Sequence, residues 1–503
     1  MGARADLRNG FLLALLVLTF AGLAWLSPRF AWEIPQIQRP TFLFVGLIFT
    51  ASAAFACLSW EKLGGAQRLF LLIAAGAALR LLMLISTPIW EDDFHRYLWD
   101  GGAVLAGLNP YAIAPIQALD PAFLEGHPRW AALAAAEGDL LQRINYPYLR
   151  TIYPGIAQLA FALGHALGGG DLFGLRIVLL AADFACLGLL LALLTHLGRS
   201  PLWIGLYWLN PIIAKEFINS AHIDALLGPL LLAAIWAALQ RRPLLLGLAI
   251  GLAGGVKLWP ILLWPLLARY AARGRLAPAL ISAVIAGGLV MLSLAPLLLS
   301  GLDDQAGLAA FADGWVRNSA WHPVFFTAVE DALRAMGALQ AIDPNRLARA
   351  LLALAGILAA LAAPLAHFQQ KCRRGFVPEN APIQSLGVSD PTKSGSDFAC
   401  DALGSKEMAR ERLLFRAYAL SAGIILLSPT QFPWYWATTL PLAVLIQARF
   451  WAIALALAMP AYYLRFPLDR DGVAALALAW GQHVLLWGVL IGPIMAHRMA
   501  KRI

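Results

Sequence analysis

The feature that most constrains this sequence is the recurrence of apolar runs along nearly its whole length. A bilayer core of about 30 Å is crossed by roughly 20 residues of helix, and backbone groups in lipid must find their partners internally. The runs are continuous Leu, Ala, Ile and Val, without the alternation that barrel strands need. With 60% hydrophobic and 13% charged residues, the chain is unlike a soluble domain. We therefore predict an all-α, polytopic transmembrane helical bundle of about 13 spans, with residues 1–503 as one transmembrane domain.

The net charge of +9 has a simpler explanation than a nucleic-acid partner. Basic residues cluster in short connections, for example at 241–242 and 269–275, and cytoplasmic loops of membrane proteins concentrate Lys and Arg. We expect no nucleic acid to bind. The four cysteines include no CxxC spacing, so neither a disulfide framework nor a zinc site is predicted.

Three polar stretches interrupt the apolar runs. Residues 87–150 form the longest, with eight acidic residues against four arginines. The basic turn at 61–68 lies one span earlier, so we expect 87–150 to be extracytoplasmic. Residues 301–345 are predicted as a second extracytoplasmic loop, because the basic turn at 268–276 lies one span before them. Residues 368–411, rich in Ser, Gly, Pro, Lys and Arg, are predicted as a disordered cytoplasmic loop.

The first loop opens with three consecutive carboxylates at 91–93. Such crowding raises at least one pKa, and a carboxylate near neutrality suits proton abstraction from a hydroxyl. If the stretch is helical, Asp92, Arg96 and Asp100 share one face, and Asp93 lies beside Arg96. A solvated helix start with Asp92 or Asp93 as N-cap accounts for the same pattern equally well.

Aromatic residues and prolines follow in the same loop, at 107–111, 145–148 and 153–154. Aromatic faces suit the apolar face of a pyranose, and prolines make such platforms rigid. An interfacial belt of Tyr and Trp gives the same composition and is the commoner reason for it.

Two groups of charged residues lie within otherwise apolar sequence, where ionisable groups are costly and usually functional. Lys257 is the first, and a lysine that snorkels from a helix end is the alternative. The second group is Lys215-Glu216 with His222-x-Asp224. An internal salt bridge or a substrate phosphate explains that group better than a metal, because no known ligand spacing is present.

The first loop resembles that of a known group of membrane enzymes. The motif reads Asp93-x-x-Arg96-Tyr97-x-Trp99-Asp100-Gly101, then Gly107-x-Asn109-Pro110-Tyr111. It resembles the first extracytoplasmic loop of bacterial GT-C glycosyltransferases, especially the polyprenol-phosphate-mannose-dependent mannosyltransferases and the related glycosyltransferase family 87. Later pieces resemble the same group in the same order: Tyr153-Pro154, Asn210-Pro211, Lys215-Glu216, Asn219-Ser220-x-His222-x-Asp224, Lys257-x-x-Pro260, Asn318-Ser319 and Gln431-x-Pro433-Trp434-Tyr435.

The resemblance implies an inverting transferase that moves a hexose, by default mannose, from a polyprenyl phosphate to a lipid- or glycan-linked acceptor hydroxyl outside the cytoplasm. The family's base is an acidic residue at the start of this loop, which matches Asp93, with Asp92 the next candidate. The residues expected to contact substrate are Arg96, Tyr97, Trp99, Asp100, Asn109, Tyr111, Tyr153, Lys215, His222, Asp224, Lys257, Asn318, His322 and Gln431. No metal ligand and no cofactor are predicted, although some GT-C enzymes with pyrophosphate donors use a divalent metal.

The implied location is the bacterial plasma membrane, with a catalytic loop at 87–150 on the extracytoplasmic side. A transporter or flippase of lipid-linked sugars is the main alternative, since buried charges and Gly/Pro interruptions also mark substrate pathways. Its polar residues should concentrate near the membrane midplane, whereas the densest group here lies in a loop. A non-catalytic subunit of a polysaccharide-assembly complex would share the fold and lack only the base, and Asp93 argues against it.

Overall fold

The computed structural model describes residues 2–35, 38–59, 66–365, 394–468 and 472–499. Within these ranges the protein is helical and contains no β-strand. The helices of eight or more residues are α1 Gly2–Leu26, α2 Thr41–Cys57, α3 Ala66–Ile85, α4 Asp93–Leu105, α5 Pro128–Glu137, α6 Gly155–Gly168, α7 Leu172–His196, α8 Leu227–Leu239, α9 Pro243–Val256, α10 Trp264–Ala271, α11 Leu276–Leu299, α12 Gly307–Gly314, α13 Trp321–Ala335, α14 Pro344–Ala362, α15 Ser394–Leu427, α16 Arg449–Leu468 and α17 Val473–Met499.

Seven of the described helices are long and apolar enough to cross a membrane. An eighth span is formed if Pro211–Asn219 and Ile223–Leu239 are taken together, although they bend by 112° at the break. Three shorter apolar helices, α2, α6 and α9, lie among them. The chain is an integral membrane protein, and the predicted all-α membrane bundle is confirmed, while the count of about 13 spans stays a prediction.

The apolar stretch at 243–270 is interrupted, as the sequence predicts. Helix α9 ends at Val256, a 3-10 turn follows at Trp259–Leu263, and α10 begins at Trp264. Both later elements carry a proline in their first turn, where its missing N–H costs nothing. Helix α9 also packs tightly: a Cβ on Gly255 would lie only 2.5 Å from Ile156 at the start of α6. Lys257, which directly follows α9, therefore lies near the end of the first loop.

The first loop, 87–150, packs onto the bundle through α4. A Cβ on Gly101 would lie 2.4 Å from the Phe161 carbonyl of α6, so the two helices are in close backbone contact. A separate apolar cluster covers the other side of α4, where Trp99 stacks on Trp130 with ring centroids 5.9 Å apart. The loop is thus a packed layer that holds the first turn of α4 fixed.

The second loop, 301–345, contains α12 and α13 and is tied to the segment that follows α15. Arg317 and Thr430 form an isolated parallel bridge. The Arg317 N–H donates to the Pro429 carbonyl at 3.2 Å, and the Gln431 N–H donates to the Arg317 carbonyl at 2.9 Å. These bonds bring the two predicted polar segments into contact.

Two predictions fall partly outside the described residues. Of the segment 368–411, residues 368–393 lie outside them, and the chain from Ser394 onward belongs to α15. Of the basic turn at 61–68, residues 61–65 lie outside them, and Ala66 begins α3.

Buried arginines join α3 to α7. Arg80 Nε donates to Asp183 Oδ2 at 2.7 Å with both side chains fully buried, and the Tyr207 hydroxyl donates to Asp183 Oδ1 at 2.6 Å. Arg176 donates to the carbonyls of Leu84 and Ser86 at 2.9 and 2.7 Å. A buried pair of this kind is costly to break on one side only. The end of α3, which leads into the acidic cluster, is therefore fixed.

Candidate active site

A cavity of about 560 Å³ opens between the first loop, the second loop and the ends of several helices. Its walls come from the start of α4, the segment 145–154, the junction between α9 and α10, and the C-terminal parts of α15 and α16. Seven of the predicted site residues line it: Asp92, Asp93, Arg96, Tyr97, Tyr153, Asp224 and Lys257.

The acidic cluster owes its shape to Glu91. Trp90 adopts a left-handed backbone with φ of 50°, which turns the chain sharply after α3. Glu91 Oε1 then accepts the backbone N–H groups of Asp92 at 3.1 Å and Asp93 at 2.9 Å. Asp92 occupies the N-cap position of α4, but its side chain accepts no capping bond. Glu91 therefore satisfies the helix start and leaves the two aspartates turned to the cavity.

Asn145 bridges the two aspartates. Its Nδ2 donates to Asp93 Oδ1 at 2.6 Å and to Asp92 Oδ1 at 3.1 Å. Asn145 belongs to the end of the first loop, and Arg96 holds that segment by donating to the carbonyls of Tyr146 and Leu149 at 3.1 and 2.9 Å. The predicted base and the predicted cation are thus both integrated into the cavity wall.

The three carboxylates have different proton affinities. Burial, together with the charges of Asp93 and Glu91, raises the pKa of Asp92 to about 8. Burial and the charge of Glu91 raise the pKa of Asp93 to about 6, against the opposing influence of His222, Asn145 and Lys257. Burial opposes the ionisation of Glu91, yet the charges of His222 and Lys215 hold its pKa below the usual value. Near neutrality Asp93 is thus the cavity carboxylate best suited to accept a proton.

Behind the acidic cluster lies a chain of buried ionic contacts. His222 Nε2 lies 3.0 Å from Glu91 Oε2 and 3.6 Å from Glu216 Oε2. Lys215 Nζ donates to Ser220 Oγ at 2.9 Å and to Glu216 Oε2 at 3.3 Å. The Tyr463 hydroxyl accepts from Lys215 Nζ and donates to Glu216 Oε1 at 2.6 Å. Lys215 and His222 are fully buried and do not line the cavity.

The segment that carries Lys215 and Glu216 is a π-helix, Ala214–Asn219, at the start of the bent pair of helices. One extra residue per turn is rare in helices and is found frequently at functional sites. Here it directs both side chains of one dipeptide into the same buried network. The charged residues are evident in the sequence, and the π-helix explains how their side chains converge.

Lys257 brings an ammonium group to the cavity. Its Nζ donates to both oxygens of Asp224 at 2.7 Å and lies 3.9 Å from the centre of the Tyr435 ring. Its charge also acts on Asp93. Since Lys257 follows the last residue of α9, it is the helix end that brings the ammonium to the cavity. Arg317 and Arg465 line the same cavity.

Aromatic rings complete the wall. Tyr97 stacks on Phe161 with centroids 4.5 Å apart and meets Tyr153 edge-on at 5.1 Å. The Tyr153 hydroxyl donates to the Tyr97 hydroxyl at 3.2 Å, and the Tyr111 hydroxyl donates to the Tyr153 carbonyl at 2.6 Å. Tyr111 thus supports Tyr153 from outside the cavity.

The remaining predicted residues lie away from the cavity surface. Asp100 is buried and accepts from Gln158 at 3.1 Å, and Trp99 belongs to the separate apolar cluster. Asn109 donates to Ser300 at 3.1 Å. Gln431 donates to the carbonyls of Leu426 and Ser428 and accepts from Trp436. Asn318 and His322 follow Arg317, whose backbone bonds to Pro429 and Gln431. Asn318 has a left-handed φ of 53°, and His322 is buried.

One group of side chains has the donor set of a metal site. Glu91, Asp93 and His222 each offer a ligand atom, and these atoms lie within 4.8 Å of one another. Two carboxylates and an imidazole suit several divalent metals. In the present geometry His222 is engaged by Glu91 and Glu216, and Asp93 is bonded to Asn145. A cation would have to displace these contacts.

Several cavity or network residues were missing from the predicted set, namely Glu91, Asn145, Glu216, Tyr435 and Arg465. The signal for Arg465 was available, because it is an arginine within an apolar span. Glu91 and Glu216 adjoin predicted residues, and their role depends on backbone turns that spacing does not reveal. Asn145 is 52 positions from Asp93, and the bond between them depends on tertiary folding.

Comparison with known proteins supplies independent information. A family model described as "Alpha-(1->6)-mannopyranosyltransferase, N-terminal domain" matches residues 12–273. The chain is 24% identical over 243 residues to alpha-(1->6)-mannopyranosyltransferase A of Mycobacterium tuberculosis. That alignment covers 46% of this chain and 43% of the relative, so the chain spans less than half of the relative's length in the match. No solved structure matches this chain.

Proposed function

Since this chain belongs to the alpha-(1->6)-mannopyranosyltransferase family, we propose that it is a membrane mannosyltransferase that uses a polyprenyl-phosphate sugar donor. The predicted likeness to GT-C mannosyltransferases is confirmed by the family match. The acceptor is a hydroxyl of a lipid- or glycan-linked sugar. The observation that carries the proposal is one cavity that holds Asp93, with its raised pKa, together with Lys257, Arg317 and Arg465.

Asp93 is the general base in this proposal. The acceptor hydroxyl attacks the anomeric carbon, its proton passes to the Asp93 carboxylate, and the bond between that carbon and the phosphate oxygen breaks with inversion. The pKa of about 6 leaves Asp93 mostly ionised at neutral pH, whereas the pKa of about 8 leaves Asp92 mostly protonated. Because Asp92 is mostly neutral, it adds little negative charge beside Asp93.

The departing lipid phosphate gains negative charge, which preorganised cations stabilise in a water-poor site. Lys257, Arg317 and Arg465 are the cavity cations for this role. Tyr435 and Tyr97 supply apolar faces of the kind that bind a sugar ring. Arg96 serves instead to position the loop, because its guanidinium donates to two backbone carbonyls.

We further propose that the transfer needs no metal ion. Of the three groups with a metal-binding donor set, Glu91 and Asp93 already accept hydrogen bonds, and His222 Nε2 lies 3.0 Å from Glu91 Oε2. The proposed departing group is a single phosphate, and the positive charges of Lys257, Arg317 and Arg465 at the cavity wall would stabilise it.

The proposed location is the bacterial plasma membrane, with the cavity on the extracytoplasmic side. Connections with several arginines, such as 241–242 and 269–275, lie at the ends of α9 and α10 remote from Lys257. Because short cytoplasmic loops are enriched in Lys and Arg, this distribution favours a cavity at the outer face.

The test is sugar transfer by purified full-length protein in nanodiscs, given polyprenyl-phosphate mannose and a lipid-glycan extract. Wild type is compared with Asp93→Asn, which keeps the shape, and with Asp120→Asn, a carboxylate of the same loop outside the cavity. We expect Asp93→Asn to lower kcat by about 10²- to 10⁴-fold, the usual contribution of a general base, and Asp120→Asn to act like wild type.

The same preparation separates the enzyme from a flippase. Donor binding that persists in Asp93→Asn while transfer is lost would support the base assignment. If both proteins instead move labelled donor across a vesicle membrane equally well without consuming it, the protein is a carrier of lipid-linked sugar and not a transferase.

A further inference from the structure

A second cavity, of about 470 Å³, is lined by five arginines from three separate segments. They are Arg241 after α8, Arg269 and Arg273 at the end of α10, and Arg412 and Arg416 on α15. No acidic side chain lines this cavity among the described residues. It shares no lining residue with the candidate active site.

The basic cavity lies at the opposite end of the bundle from the acidic cluster. Helix α9 begins directly after Arg242 and ends next to Lys257, and its 14 residues span about 21 Å. Helix α15 shows the same relation, since Arg412 and Arg416 line the basic cavity while Ile424 and Ile425 line the catalytic one. The two cavities therefore lie toward opposite ends of the same helices.

Three of the five arginines in this cavity lack counter-charges within the described structure. Arg269, Arg273 and Arg412 form no ion pair with a described acidic residue. Arg412 and Arg416 are four positions apart on one helix, a spacing at which like charges destabilise. Arg241 donates to the Tyr270 carbonyl and stacks on that ring, so its side chain is held at the wall. An anion in the cavity would relieve this repulsion.

The surroundings favour an anion that carries acyl chains. Leu365 and Phe415, beside the lining residues Pro364 and Arg416, are 66% and 40% exposed. Apolar side chains next to arginines at the end of a bundle make contact with lipid tails and headgroups at once. Arginine also binds phosphate oxygens in a bidentate manner. We propose that this cavity binds the phosphate headgroup of an anionic membrane phospholipid.

The experiment measures lipid binding by the full chain in detergent with native mass spectrometry, titrating phosphatidylglycerol and, separately, phosphatidylcholine with the same acyl chains. The test variant is R269Q/R273Q/R412Q. The control is R242Q/R275Q/R410Q, which also removes three positive charges from the segments around the cavity but leaves the cavity lining unchanged. A second test variant, Arg412→Lys, keeps the charge and loses only the bidentate geometry.

We expect wild type and control to prefer phosphatidylglycerol, and the test variant to bind it about a hundredfold more weakly, as loss of three interfacial charges implies. Arg412→Lys should show a smaller loss, which distinguishes a weakened site from a misfolded protein. Equal weakening in the test and control variants would overturn the proposal, since the effect would then be one of net charge. Complete displacement of the lipid by millimolar inorganic phosphate would also contradict the proposal, since the cavity would then be a site for soluble phosphates.

Discussion

Asn145 allows the electrostatic account of the cavity to be tested without altering the base itself. In Asn145→Leu the shape is nearly kept, but the amide that donates to Asp93 at 2.6 Å and to Asp92 at 3.1 Å is lost. A hydrogen bond to a charged group contributes about 1.5 to 3 kcal/mol, and one pKa unit corresponds to about 1.4 kcal/mol. Losing a bond that favours the ionised form should therefore raise the pKa of Asp93 from about 6 to between about 7 and about 8.

The assay is the pH profile of kcat/KM for polyprenyl-phosphate mannose in nanodiscs, between about pH 5 and about pH 9. A base must be ionised, so activity should rise with pH, and the midpoint of this rise should move upward by about one to two units in the variant. At about pH 6 the variant should be slower by about fivefold to fiftyfold, and at about pH 9 it should approach wild type. Gln117→Ala, an amide of the same loop outside the cavity, is the control. A uniform loss at every pH, or an unmoved midpoint, would refute the reasoning.

Three further outcomes are expected. Asp92→Asn should raise the thermal unfolding midpoint above that of wild type at alkaline pH. Because the pKa of Asp92 is raised from 3.8 to about 8 in the folded protein, wild type loses stability as the pH climbs through this range, and the variant does not. Arg80→Met should cost about 3 to 5 kcal/mol of stability, because it leaves Asp183 buried and unpaired, and adding Asp183→Leu should recover most of the loss in denaturation experiments. Chelation with EDTA should leave transfer unchanged, measured beside a metal-supplemented sample.

The helical membrane class was predictable because length and continuity of apolar runs act locally. A run such as Leu172–His196 needs no partner to be recognised as a span. The interruption near Lys257 was also visible, since prolines and glycines disturb helices through their own backbone chemistry. The number of spans is harder to predict from the sequence, because α2, α6 and α9 are short and the pair of helices at 211–239 is bent.

The site was only partly predictable, for a physical reason that Lys215 and Lys257 illustrate. Both are lysines in apolar sequence, so both attracted the same expectation. The fold buries Lys215 completely against Glu216 and Tyr463, whereas Lys257 reaches the cavity from the end of a helix. Sequence hydropathy reports that a charge is costly, and only tertiary packing decides whether another side chain or a substrate compensates it.

The three consecutive carboxylates at 91–93 have different roles in this structure. Glu91 stays ionised because His222 and Lys215 compensate it from behind, and it caps the backbone N–H groups of the next two residues. Its fixed charge then makes protonation of the neighbouring aspartates easier, so that Asp92 takes up a proton more readily than Asp93. With Asp92 neutral, one negative charge rather than two faces the substrate, and Asp93 keeps a pKa close enough to neutrality to accept a proton and release it again. A single aspartate at a helix start would be bound by the helix N–H groups and would be a poorer base.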